Sequence, residues 1–366
     1  MAVTYLRALR FARAWTSPSR ALASSEVRLN LASGDDPAGT LTEGRGPGPR
    51  RGWVVLHGVT RFGERHPELQ RFVGALATTG ARVLVPHVRE WSDLRFAPER
   101  ARTVIARAVA WLHAEPGTTP GGVVLVGFSF GAPQAIRIAA DPEVRARLRG
   151  IVGWGGYADI ARTFRFSLTG EHDWEGTPYL QAADPYSRWV IGVNCLPLCP
   201  SLGPTDSLVA ALWNLAAAAG ERRIRSMDAS SDPLKKELRR GLGSTERALF
   251  DVFAPPAGRE PDRNEAVRLV DEVVPAIRRA SPTLEAAPTE ALPLPIRLLH
   301  ARTDRLIPFT ETLRLARQLA PLTDDITTRL TGLFSHSGER IAGGAIARAI
   351  EGARFLEALR SVLVLG

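Results

Sequence analysis

Apolar residues follow two patterns along this 366-residue chain. Some form unbroken runs: Trp53-Val54-Val55-Leu56, Val83-Leu84-Val85 and Val123-Val124-Leu125-Val126. Such runs read as strands covered on both faces. Others recur three and four residues apart, as Leu69, Phe72, Val73 and Leu76 do, which predicts a helix. Between about 52 and 160 the two patterns alternate. Strands are predicted at 53–56, 82–85, 122–126 and 150–154, with helices at 67–79, 98–113 and 132–140. Strand alternating with helix means parallel strands joined by right-handed crossovers, with helices on both faces.

The alternation stops near Asp159. Residues 161–291 show no convincing strand. Helices are predicted there at 180–193, 207–219, 233–253 (broken at 241–243) and 264–280, the last kinked at Pro275. A Pro-rich stretch, 281–295, closes the segment. The alternation then resumes: strand 296–300, helix 309–319, strand 326–330, helix 339–362. Ahead of the core, 27–31 alternates as a half-buried strand does, and 39–42 is placed to pair with it across a turn at 33–37. The predicted fold class is α/β, a mostly parallel central sheet with helices on both faces. Its first part is 1–160, including an extension at about 1–25. A helical insertion spans 161–291, and the core finishes at 292–366.

Composition changes this picture little. The net charge is +9, and the cations are 45 Arg against two Lys, Lys235 and Lys236. Arginine is spread along the chain rather than clustered, so the charge reads as a solvated basic surface and no nucleic-acid partner is expected, with binding to nucleic acid or to an anionic membrane as the alternative. No run approaches the ~18 apolar residues of a membrane span; the longest, 208–219, contains Asn214. Cys195 and Cys199 cannot supply a four-ligand zinc site; they read as free buried thiols, with a local disulfide as the alternative. No metal or cofactor is implied. Residues 1–25 carry Arg7, Arg10, Arg13 and Arg20 and no acid. The arginines interrupt every candidate secretory signal. The default is an amphipathic lead helix on a cytoplasmic protein; an organelle transit peptide is the alternative.

The chemistry-bearing residues sit in the alternating parts. Gly127-Phe128-Ser129-Phe130-Gly131 lies between a predicted strand and a predicted helix, the setting in which Gly-x-Ser-x-Gly exposes a serine on a strained turn. A serine hydroxyl needs a base to take its proton. Seven histidines are present, and only His336, in the loop after the strand 326–330, follows the resumed strands. The acid should lie just past a strand's C-terminal end. Asp304 does; Asp159 is its rival, while Asp324 and Asp325 precede a strand. The oxyanion of acyl transfer needs N–H donors. The backbone N–H groups of Phe130 and Val59 are the candidates, with Gly58 allowing close approach. His57 is expected to hold that loop and His300 to pack at the end of its own strand.

These residues resemble the α/β-hydrolase family with a helical cap. The matching pieces are Val55-Leu56-His57-Gly58, Gly127 to Gly131, Leu298 to Pro308, and Phe334-Ser335-His336. They cover about 52–160 and 292–366; the first 50 residues match no motif. A serine at 129 argues against the family's haloalkane dehalogenases and epoxide hydrolases. The resemblance implies a catalytic triad of Ser129, Asp304 and His336 and a small-molecule ester or acyl substrate of apolar character. Thioesterase, amidase, peptidase or acyltransferase chemistry on the same triad is the first alternative. A non-catalytic binding protein is the second. In the insertion, Trp174, Tyr179, Tyr186, Trp189 and Trp213 are candidates to line an apolar pocket.

Overall fold

The computed structural model describes residues 2–17, 22–29, 38–45, 48–221, 226–280, 284, 287–332 and 345–366. Eight strands form one sheet: β1 (Ser24–Val27), β2 (Gly39–Glu43), β3 (Gly52–Leu56), β4 (Arg82–Pro86), β5 (Val123–Phe128), β6 (Leu148–Trp154), β9 (Ile296–Ala301) and β10 (Ile326–Thr331). Two more, β7 (Glu171–Trp174) and β8 (Thr177–Leu180), make a separate hairpin. The sheet order is β1-β2-β4-β3-β5-β6-β9-β10. β2 runs antiparallel to both neighbours, and every later pairing is parallel.

Strand side chains alternate between faces, and each face has its own core. Val54, Leu56, Leu84, Leu125, Ile151 and Leu298 join one cluster. Trp53, Val55, Val83, Val126, Val152 and Leu299 join the other. The first cluster packs against the helices Pro98–Ala114 and Gly131–Ile138 and continues into the insertion through Phe164, Trp189, Leu212 and Phe253. The second is covered by the helices Ala2–Thr16, Pro67–Ala77 and Ala345–Leu363. The lead helix is thus part of the core. Phe11 meets Phe72 edge-on at 5.4 Å, Arg71 lies 4.4 Å from the Trp15 ring centroid, and Arg7 donates to the Gly366 carbonyl at 3.0 Å.

β6 and β9 are hydrogen-bonded neighbours, with Gly153 opposite Leu298, although the whole insertion separates them in sequence. The insertion sits on the loops that follow the C-terminal ends of β3, β4 and β9. Tyr186 donates to Val59 O (3.1 Å), and Asn194 accepts from Phe96 N (2.9 Å) and donates to Leu94 O (2.8 Å). Trp213 donates to Asp93 O (3.0 Å), and Arg305 to Ala182 O (3.0 Å).

Three details differ from the sequence pattern. β1 ends at Val27 rather than beginning there, because Ser24–Val27 is the stretch that pairs with Gly39–Thr42. The turn at 33–37 lies outside the described residues. The insertion contains the hairpin β7–β8, so the helix expected from 180 starts at Pro185, capped by Asp184. The break at 241–243 does separate two helices, Asp232–Arg240 and Ser244–Phe253. The beginning of the helix predicted at 339–362 lies outside the described residues; its described part is Ala345–Leu363. Cys195 and Cys199 are free and buried, and burial pushes the Cys195 thiol up to about 12. Among the described residues, no helix is long and apolar enough to cross a membrane.

Candidate active site

Ser129 stands where β5 ends and the helix Gly131–Ile138 begins, in the left-handed region with φ +52°. Its amide donates to Trp154 O of the neighbouring strand (2.8 Å), and its carbonyl accepts from Ala132 N (3.0 Å). The flanking glycines have no room for a side chain. A Cβ on Gly127 would lie 2.2 Å from Gly131 O, and one on Gly131 would lie 2.7 Å from His57 O. A Cβ on Gly58 would lie 3.1 Å from Ser129 Cβ and 3.5 Å from Oγ, so the loop after β3 lies directly against the serine. Phe130 caps the helix, whose first N–H groups have no intrahelical acceptor. Its ring is fixed by stacking on Phe96 at 4.6 Å and an edge contact with Trp91 at 5.5 Å.

In the loop after β3, the Val59 carbonyl is tied to Tyr186. His57 is fully buried and its Nδ1–H donates to Gly58 O (2.7 Å). Burial pushes its pKa down to about 4, so the ring is neutral near pH 7. With its proton on Nδ1 and pointed at the loop, His57 braces the backbone beside Ser129.

Asp304 is buried, on the turn that follows β9. Its Oδ1 accepts from Leu306 N (2.9 Å) and Ile307 N (3.2 Å), which fixes the carboxylate. Its Oδ2 lies 3.7 Å from His300 Nε2. His300 is itself held by the Ile307 carbonyl (2.9 Å) and by Thr312 Oγ1 on Nδ1 (2.6 Å). Asp159 does other work. It caps the helix Ile160–Thr169, accepting from Ala161 N (2.7 Å) and Arg162 N (3.2 Å), and it takes a bond from Arg278 (3.2 Å). Asp325 is held by Arg297 ahead of β10, at the opposite sheet edge.

Ser129 and Asp304 therefore follow the C-terminal ends of β5 and β9, with only β6 between them. Strands are ~4.8 Å apart, so the two ends are separated by roughly 10 Å. His336 lies outside the described residues, as does the rest of Phe334-Ser335-His336. The chain that leads to it leaves β10 at Thr331, which pairs with Ala301 and accepts from Arg302 N (2.9 Å), beside the acid turn.

The five aromatic candidates scatter. Tyr179 lines a cavity of about 380 Å³ with His172, Gln181, Arg302, Arg305 and Phe309. Tyr186 reaches the loop after β3. Trp174 carries Arg317 and Arg314 over its ring, at 4.5 and 5.8 Å. Trp213 lies under Arg61 at 5.2 Å. Trp189 is core, only 1% exposed, with Nε1 donating to Phe253 O (3.0 Å).

No family model and no curated protein matches the chain. Among solved structures, the rice cell wall degrading esterase LipA from Xanthomonas oryzae superposes with a TM-score of 0.54. The two are 15% identical over 97% of this chain and 94% of that one. The chain has the α/β-hydrolase fold. Candida antarctica lipase A (14% identity, TM-score 0.47) is matched over 88% of this chain and 81% of its own. Acylaminoacyl peptidase from Pyrococcus horikoshii (13%, 0.46) is matched over 93% of this chain, which spans 42% of the peptidase's length.

In this α/β-hydrolase fold the strand-to-helix turn at Ser129 and the turn at Asp304 are joined by residues that sequence reasoning missed. Glu311 is buried; its Oε2 accepts from Ala158 N (3.1 Å) and Asp159 N (3.0 Å), and its Oε1 from Arg162 (3.2 Å). Burial is the main influence on its carboxyl and raises its pKa. Thr312 bonds His300 and donates to Gly156 O (3.3 Å). A Cβ on Gly156 would meet Ala132 at 2.7 Å, so the loop after β6 packs on the serine's own helix. In the sequence these two residues show only as part of a helix start.

Proposed function

We propose that the chain is a serine hydrolase that cleaves carboxylic esters through an acyl-enzyme. Ser129 attacks the carbonyl, and His336 takes its proton and passes it to the leaving alcohol. Water then attacks the acyl group with His336 again as base, which releases the acid and restores Ser129. Asp304 holds the imidazole's tautomer and stabilises its charged form. The backbone N–H groups of Phe130 and Val59 stabilise the oxyanion, where one lost donor typically costs a few kcal/mol. The insertion acts as a cap over the site, limiting water and setting substrate size, with Tyr179 on its pocket wall. The observation that carries the reading is Ser129 itself. A non-glycine residue at positive φ, wedged between glycines whose space is filled, is backbone strain of the kind found at catalytic turns.

A fluorophosphonate probe is expected to label the wild type at Ser129 and to leave Ser129→Ala unlabelled. Asp304→Asn is expected to cut kcat by roughly 10⁴, whereas Asp159→Asn keeps an equally good helix cap and changes stability and rate little. Labelling at another residue, or the reverse ranking of the two aspartates, rejects the assignment.

A further inference from the structure

Eight large apolar side chains are exposed among the described residues, and six of them lie on, or just after, two helices that pack on each other. Val3, Tyr5, Leu6 and Leu9 lie on the helix Ala2–Thr16; Ile350 and Val364 lie on and just after the helix Ala345–Leu363. The lead helix is anchored by Ala8 and Phe11, which are buried, so its outward arc is fixed rather than free to turn inward. Val364 belongs to the same surface, because Arg7 bonds Gly366 O and Arg360 lies 5.4 Å from the Tyr5 ring centroid.

Cations surround this arc. The lead helix has no acid, and Arg10 and Arg13 are exposed. Arg51 precedes β3 and Arg149 is the second residue of β6. Arg7 and Arg51 line one small cavity, and burial, followed by repulsion from Arg149 and Arg7, lowers the Arg51 pKa. Among the described residues none of Arg10, Arg13, Arg51 and Arg149 has a carboxylate at ion-pair distance.

Apolar side chains among unpaired arginines select one kind of occupant. Nucleic acid offers phosphates but nothing for Val3, Leu6 and Leu9. A second copy would set like charges against each other. An anionic lipid surface satisfies both, with apolar side chains at the acyl boundary and arginines at the phosphates. We propose that this face docks the protein on an anionic membrane surface through Val3, Leu6, Leu9, Arg10, Arg13, Arg51 and Arg149. Arg51 and Arg149 mark the N-terminal ends of β3 and β6, whereas Ser129 and Asp304 follow C-terminal ends. The docked protein thus turns its candidate active site to water. The inference is independent of the proposed hydrolase activity.

The test is sedimentation of the full chain with phosphatidylcholine vesicles, with and without phosphatidylglycerol. Binding is expected only with phosphatidylglycerol and is lost in high salt. Arg10→Gln and Arg13→Gln should each weaken it about five-fold. Leu6→Gln with Leu9→Gln should abolish it, while turnover of a soluble ester is unchanged. Both leucines face water, so folding should survive, and circular dichroism checks this; if it does not, the arginine variants decide. Equal binding to both vesicles, no binding, or retention after the arginine changes overturns the proposal. So does a dimer, or salt-sensitive DNA binding, in place of vesicle binding.

Discussion

Ser129 occupies a backbone conformation that costs a serine of order 1–3 kcal/mol. Glycine adopts it without steric penalty. Ser129→Gly is therefore expected to melt at a higher temperature than Ser129→Ala, although both lose the hydroxyl and with it the proposed activity. Equal melting temperatures would mean that the strain at φ +52° is not stored in the fold. His57 makes a second residue-level prediction. Its ordinary pKa of 6.5 falls to about 4 in the folded chain because burial penalises the charged ring. Above pH 6.5 the ring is neutral whether folded or not, and its contribution is fully present. As the pH drops from 6.5 towards 4, the unfolded chain binds a proton that the folded chain refuses, and about 3 kcal/mol is lost. His172, also pushed down to about 4 by burial, adds to the same slope. His57→Gln should flatten part of the difference between urea midpoints measured near pH 7 and near pH 5. An unchanged difference would assign the slope to other groups.

At the scale of elements, the first turn of the helix Phe309–Leu319 does more than cover the sheet. Thr312 joins His300, beside Asp304, to the Gly156 carbonyl, beside the helix that carries Ser129. Thr312→Val keeps the shape and removes the hydroxyl. It leaves a buried ring nitrogen without its partner, a cost of about 1–3 kcal/mol. Because it loosens one turn relative to the other, kcat should fall about 10- to 100-fold with KM little changed, and Thr312→Ser should recover most of the loss. Steady-state kinetics with a soluble ester measures this; a loss confined to KM would mean that Thr312 does not position the turns. Such contacts were not legible in the sequence, where Glu311 and Thr312 fit a helix face and nothing marks which loops fold back on them. The sheet was legible, because β3, β4, β5, β6 and β9 are almost wholly buried, and in β3, β4 and β5 the apolar runs are unbroken. The hairpin β7–β8 was not. Its strands are four residues each, those of β8 are all exposed, and so they carry no apolar alternation. Its turn has positive φ at Glu175 and Gly176, and only Gly176 advertises it. The positions of Ser129, on a strand-to-helix turn, and of Asp304, past a strand end, were legible because Gly-x-Ser-x-Gly and an aspartate after an apolar run are local signals.

One face of the sheet and the insertion share a cluster that runs without a break from Val54 and Leu56 into Phe164, Trp189 and Phe253 of the insertion. The insertion is thus expected to unfold with the sheet in one calorimetric transition, and cutting it down to a linker would expose that core. Its influence on the site is better tested by one bond. Tyr186 is the insertion's contact with Val59, and its hydroxyl donates to the carbonyl of the loop that lies against Ser129. Burial raises the pKa of this phenol, so it remains a donor at neutral pH. Tyr186→Phe keeps the ring and frees the loop, at a cost of about 1 kcal/mol in stability. If the insertion braces the oxyanion loop, kcat should fall about ten-fold on small activated esters as well as on larger ones, since both need the same N–H donors. A loss seen only with larger esters would mean that the insertion acts through substrate contacts alone. No loss with either would detach Val59 from the oxyanion hole and leave Phe130 to be tested with another donor.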